Sequence, residues 1–259
     1  MALSLGKRYG VAARYTLLEQ VKNRLALGLL LVFVPLWYYV SYVFAGTGPV
    51  AFKFRATNTM LQVDSLHLTL LTLGLNSTTL IVGFMFFAAT RKDMRFDHRL
   101  VLSGYPQLQL ILARLTTLLV VSCLIALYAC LILLFYWHPV VLPVVWLSFF
   151  LGTLIYGGLG ILLGVLVRGE LEGFFVIIML SLIDTGVQNP IGNPAANKDF
   201  IMGFPSFAPT QLYVAGGFTH VLPWVYVLIS LAWIVGFTLL GLLIFYLKTR
   251  AWGVRQQMK

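Results

Sequence analysis

Asp184 is the first residue with a chemical consequence, because it stands eleven positions after Gly173 at the end of an otherwise uncharged apolar run, Gly173 to Ile183. If that run enters a membrane as a helix, the carboxylate lies about 16 Å deep. A charge there is costly and marks a functional residue by default. Two readings follow. Asp184 lines a path across the membrane with the polar Gln188 and Asn189, or it accepts hydrogen bonds from backbone N–H groups freed where Gly186 and Pro190 break the helix.

A second cluster is polar and of mixed sign: Arg91, Lys92, Asp93, Met94, Arg95, Phe96, Asp97, His98 and Arg99. Apolar Met94 and Phe96 set among charges suit a short helix that contacts another protein, where a plain solvated loop needs neither. Glu170 and Glu172, beside Arg168, offer a smaller surface of the same kind or a solvated turn.

Other chemistries find no support. His67, His98, His138 and His220 are scattered with no His-Glu-x-x-His or comparable pairing, so no metal site is expected. Cys123 and Cys130, seven apart on one helix, would lie about 10 Å apart along its axis, too far to bridge. No Gly-x-x-x-x-Gly-Lys-Ser/Thr phosphate loop occurs, since Gly6-Lys7 is followed by Arg8 with no strand before it. The chain is therefore not expected to be an enzyme or to bind a cofactor directly.

These residues must be positioned by membrane helices. Of 259 residues, 60% are hydrophobic and 10% charged, with a mean hydropathy of +0.92, which is far from the balance of a water-soluble domain. Six apolar runs can cross a bilayer, near Leu27–Ala45, Thr69–Ala89, Leu108–Trp137, Val140–Val167, Gly173–Val187 and Pro223–Leu247. The fifth is the shortest. Residues 188–222 are rich in Pro, Gly and Asn but keep Phe200, Ile201, Met202, Phe204, Phe207, Leu212, Tyr213 and Phe218, so they read as two short helices that dip into the membrane and return. Val11, Tyr15, Leu18, Val21 and Leu25 share one helical face within the first 25 residues, the pattern of an interfacial amphipathic helix. Residues 91–107 form a charged loop between the second and third spans. The expected fold is thus a single all-α integral membrane domain over residues 1–259.

Placing the N-terminus, the 91–107 loop with Arg114 just beyond it, the turn at Arg168 and the C-terminal tail on one side collects 15 of the 18 Lys and Arg residues, leaving Lys53, Arg55 and Lys198 on the other. The basic side is expected to be cytoplasmic, with both termini inside a bacterial plasma membrane. The net charge of +10 then reflects topology and anionic lipid and not nucleic acid. Aromatics near the outer boundaries, Trp37, Tyr38, Tyr39, Tyr42, Phe44, Tyr136, Trp137 and Trp224, read as an interfacial belt. Gly160 and Gly164 have the spacing that lets helices approach closely, within the chain or at a dimer contact.

An interfacial N-terminal helix, six spans, a broken outer hairpin, and a charged loop ending in Leu100-Val101-Leu102-Ser103-Gly104-Tyr105-Pro106 together resemble the membrane-spanning subunit of bacterial ATP-binding-cassette exporters of the type-two permease family. The resemblance covers nearly the whole chain. Asp97-His98-Arg99-Leu100 stands where that family usually carries acidic-Gly-Thr-Leu. The resemblance implies that Arg91, Asp93, Met94, Arg95, Phe96, Asp97 and Arg99, with Glu170 and Glu172, couple to a soluble ATPase. It also implies two such ATPase subunits holding ATP and Mg, a second permease, identical or related, and export of an amphipathic drug, lipid or lipid-linked molecule. An ion-coupled secondary carrier is the alternative, and an integral membrane enzyme a third reading.

Overall fold

The computed structural model of the chain describes residues 5–102, 107–167 and 169–257. Among these are eight α-helices: α1 (Leu5–Lys22), α2 (Arg24–Phe44), α3 (Ser65–Leu102), α4 (Gln107–Tyr136), α5 (Leu142–Leu166), α6 (Glu170–Gln188), α7 (Phe207–Phe218) and α8 (Trp224–Gln257). Five contain windows long and apolar enough to cross a membrane: Ala26–Phe44, Ser65–Lys92, Gln109–Tyr136, Leu142–Leu166 and Trp224–Gly241. Helices of this kind and number mark a multi-pass membrane protein. The fifth apolar run, now α6, is not among them.

One departure from the expected all-α fold and one extension of an expected helix stand out. Between α2 and α3 the chain forms an antiparallel hairpin of β1 (Pro49–Phe54) and β2 (Thr59–Asp64). Its sequence signal is a period-two alternation, with Phe52 and Phe54 buried and Lys53 between them partly exposed, closed by Asn58 at a φ of 52°, a left-handed position that Asn tolerates. In addition, the short helix expected in the charged segment between the second and third spans is a continuation of α3, which runs unbroken to Leu102. No Gly or Pro intervenes between Gly83 and Gly104, so nothing in the backbone stops the helix there.

The centre of the bundle is the pair α3 and α5, both largely buried. They run in the same direction, with Leu75 beside Gly152, Gly83 beside Gly160 and Thr90 beside Gly164. A Cβ on Gly160 would come within 2.4 Å of the Gly83 carbonyl oxygen, and one on Gly164 within 2.7 Å of Thr90 Cβ. The small residues therefore serve close packing inside the chain. Backbone cannot yield as a side chain does, so Gly160→Ala is expected to lower the thermal midpoint of the purified protein despite the better helix propensity of Ala. Its overpacking costs about 1–3 kcal/mol against a helical gain of about 1 kcal/mol. Gly236→Ala on α8, which meets nothing within 4 Å, is the control and should leave the midpoint level or slightly raised.

α8 also runs parallel to α5, with Gly158 beside Phe237 and Leu162 beside Gly241. The chain must therefore return from one end of α5 to the other before α8 begins. α6, a loop and α7 make that return. The loop holds a short 3-10 helix, Asp199–Gly203, so the two short helices expected in 188–222 are one 3-10 turn and one α-helix of 12 residues.

α1 crosses the bundle at the end that carries both termini. Tyr9 and Thr16 meet neighbouring residues of α4, at 2.6 Å to the hydroxyls of Thr116 and Thr117 respectively. Glu19 pairs with Lys92 of α3 at 2.7 Å. The apolar face identified in the sequence points away from the protein, with Val11, Tyr15, Leu18 and Val21 exposed and Ala13 and Gln20 buried. From Lys92, α3 continues ten residues to Leu102, and α4 begins nine residues before Thr116. Both helices thus project about 14–15 Å beyond the level of α1.

Candidate functional site

The first half of α6 packs Phe174 and Ile177 against α3 and α5, and its second half is held by polar side chains. Leu171, Phe175, Leu182 and Ile183 are exposed, while Ser181, Asp184 and Gln188 are buried. Asp184 sits in the last two turns of a helix that continues past Gly186 to Gln188, so the break expected at Gly186 comes only at Asn189 and Pro190. Its carboxylate is surrounded by donors from three other places. Tyr156 of α5 donates its hydroxyl to Oδ2 at 2.7 Å. The backbone N–H of Ser206, which caps the start of α7, donates to the same oxygen at 2.9 Å. Gln188 Nε2 donates to Oδ1 at 2.7 Å and to Ser206 Oγ at 2.5 Å.

A buried carboxylate satisfied by three neutral donors and paired with no cation among the described residues is a junction that locks α5, α6 and α7 together. The Ser206 N–H is one of the donors that the start of a helix leaves without an intrahelical partner, so Asp184 caps the start of α7. Of the polar residues grouped with it in the sequence, Gln188 belongs to the junction. Asn189 does not: its Oδ1 accepts from the N–H of Ile191 at 3.0 Å, a local turn. A turn earlier on α6, Asn76 of α3 donates to Ser181 Oγ at 2.8 Å and to Thr185 Oγ1 at 2.9 Å. Asn76, Tyr156 and Ser206 were not singled out in the sequence. Only Asn76 carried a signal, an amide in the middle of an apolar run.

α7 is buried along nearly its whole length. Tyr213 meets Thr72 of α3 at 3.0 Å, Ser148 of α5 donates to the Pro209 carbonyl at 2.6 Å, and Val141 N–H donates to the Gly216 carbonyl at 2.7 Å. Above it, the β1 edge that β2 leaves open is satisfied by side-chain amides, which blunts an otherwise unpaired strand. Asn197 accepts from Lys53 N–H at 2.9 Å and donates to the Ala51 carbonyl at 3.2 Å; Gln211 accepts from Arg55 N–H at 3.0 Å. Arg55 reaches Asp199 at 2.5 Å and the carbonyls of Asn197 and Lys198, and Lys53 lies 3.5 Å from Asp199. The hydrogen bond from Arg55, and then the charges of Lys53 and Arg55, hold the Asp199 carboxyl below its ordinary value. Two of the three basic residues expected on the outer side thus tie the hairpin to the 189–206 loop.

At the other end, Arg91 donates to the Val167 carbonyl at 2.6 Å, capping the end of α5, and lies over the Phe87 ring. Its role here is to fasten α3 to α5. Asp93, Met94, Arg95, Phe96, Asp97 and Arg99 lie on the continued backbone of α3, and their side chains are outside the described residues. Glu170 and Glu172 are exposed in the first turn of α6, where a carboxylate favours the helix dipole. The expected coupling residues therefore share one end of the bundle. The aromatic belt is mixed: Tyr39, Tyr42, Phe44 and Trp224 are exposed, but Tyr38 is fully buried over Gly74. Both cysteines are free thiols, and no cluster of His, Cys, Asp or Glu able to hold a metal occurs among the described residues. No protein-family model matches the chain, and no curated protein matches it.

Proposed function

We propose that the chain is the permease subunit of an ATP-binding-cassette exporter, spanning a bacterial plasma membrane six times with both termini in the cytoplasm. The observation that carries this reading is the projection of α3 and α4 beyond α1, bearing the charged segment 91–99, in a chain with no nucleotide-binding loop of its own. A rigid extension of two spans transmits a push from a soluble motor better than a slack loop would. The parallel course of α5 and α8 supports α6 as the sixth crossing, with α7 and the 189–206 loop as the re-entrant outer hairpin. The outward apolar face of α1 supports its place in the inner interface.

On this reading two ATPase subunits hold ATP and Mg and dock on the α3 extension and the α5–α6 turn, and a second permease completes the pathway. The cargo is an amphipathic compound, as the resemblance implies. The ion-coupled carrier is less well supported. Such carriers place ionisable groups midway across their spans, and of the eight acidic residues only Asp184 lies well inside a crossing, closed in by neutral donors. A photoreactive amino acid at position 94 tests the reading in intact cells. The expected crosslink is to a soluble protein with a phosphate-binding loop; crosslinks confined to lipid or to this chain would overturn it.

A further inference from the structure

At the end of the bundle that carries the termini, two clefts meet. The first, of about 500 Å³, lies among α1, α2 and α3 and is lined by Lys22, Arg24 and Lys92 against one carboxylate, Glu19. The second, of about 340 Å³, runs between α2, α3 and α6 and is walled by Leu29, Phe84, Phe174 and Ile178. Asn23 and Ala88 line both, so the two adjoin. Along α3 they extend from Lys92 to Ile81, eleven residues or about 16 Å, close to half of a bilayer core of roughly 30 Å.

We infer that this double cleft holds one anionic phospholipid, its phosphate beside Lys22 and Arg24 and an acyl chain in the apolar branch. The charge of the upper cleft supports an anionic headgroup. Lys92 is engaged by Glu19 at 2.7 Å, but among the described residues Lys22 and Arg24 enter no ion pair. Their placement is set by the fold itself: α1 ends at Lys22, and Asn23 turns the chain into α2 by accepting from the Ala26 N–H at 3.2 Å. Two cations thus flank Asn23 at a helix junction, just before the apolar run of α2. A free phosphate would use only the upper cleft. A lipid uses both, which is why we assign the site to lipid.

The inference rests on the chain's residence in a membrane and not on the transport reading, so its test uses the purified chain alone. Dioleoylphosphatidylglycerol and dioleoylphosphatidylcholine are titrated into the detergent-solubilised protein, and bound lipid is counted by native mass spectrometry. The expected result is one phosphatidylglycerol retained per chain in clear preference to phosphatidylcholine, with the preference reduced roughly 10–30-fold in Lys22→Gln/Arg24→Gln. Inorganic phosphate should not compete at equal concentration. Equal retention of the two lipids by the unaltered chain overturns the site, whether or not the variant folds. So does a preference that survives in a folded double variant, or full competition by phosphate.

Discussion

Replacing Met94 and Phe96 together with Asp is expected to abolish co-purification of the ATPase and any ATP hydrolysis that depends on this chain, while the chain itself still inserts. Both positions lie in the charged segment that follows the apolar run ending at Ala89, so the change adds nothing costly inside the bilayer. In a docked complex it removes two apolar contacts and buries two carboxylates without partners. Leaving a charge unpaired in a contact costs about 3–5 kcal/mol, which lowers affinity by roughly two to four orders of magnitude. Membrane fractionation and a pull-down through a tag on the C-terminus check it. An intact complex with undiminished ATP hydrolysis would show that the 91–102 extension is only a solvated helix.

Asp184→Ala should be the most damaging single change within the membrane part. It strands the buried Ser206 N–H, leaves the Tyr156 hydroxyl with only the Leu180 carbonyl at 3.4 Å, and takes one of three acceptors from the Gln188 amide, at about 1–3 kcal/mol for a donor left unmet. Such a loss is a large fraction of an ordinary folding free energy. The expected outcome is little monodisperse protein after extraction and a thermal midpoint lowered by many degrees. Asp184→Asn keeps the shape and one acceptor oxygen and should fall between. A double-mutant cycle with Tyr156→Phe distinguishes a structural junction from an independent role. If the two changes act on one junction, the pair costs clearly less than the sum of the singles. Full stability of Asp184→Ala would remove the junction from the account and return Asp184 to the reading in which it lines a path.

The apolar runs were legible because bilayer thickness sets their length. The run at Leu27–Ala45 became Arg24–Phe44 and that at Val140–Val167 became Leu142–Leu166, shifts of a few residues at the ends. Less legible were the features decided by contacts distant in sequence. Asp184 could be singled out from its setting in an apolar run, but its partners stand 28 residues before and 22 after it, and no local spacing announces such a meeting. The short apolar part of α6 made its helix look truncated. Tyr156, Gln188 and Ser206 satisfy Asp184 and allow the helix to run on through Gly186. The β1–β2 hairpin was missed because six-residue strands carry a weak signal beside long apolar helices. Its alternation at Phe52 and Phe54 is visible only when that segment is read by itself.

The exporter reading is tested most directly by the composition of the native assembly. The chain, expressed at its natural level and extracted in mild detergent, would be purified, and the mass of the intact complex, its subunits and its ATP hydrolysis measured. The account predicts two permease subunits with two soluble ATPase subunits, and hydrolysis that disappears in the Met94→Asp/Phe96→Asp variant. A chain that purifies with no nucleotide-binding partner, and whose transport runs on an ion gradient in the absence of ATP, would contradict it.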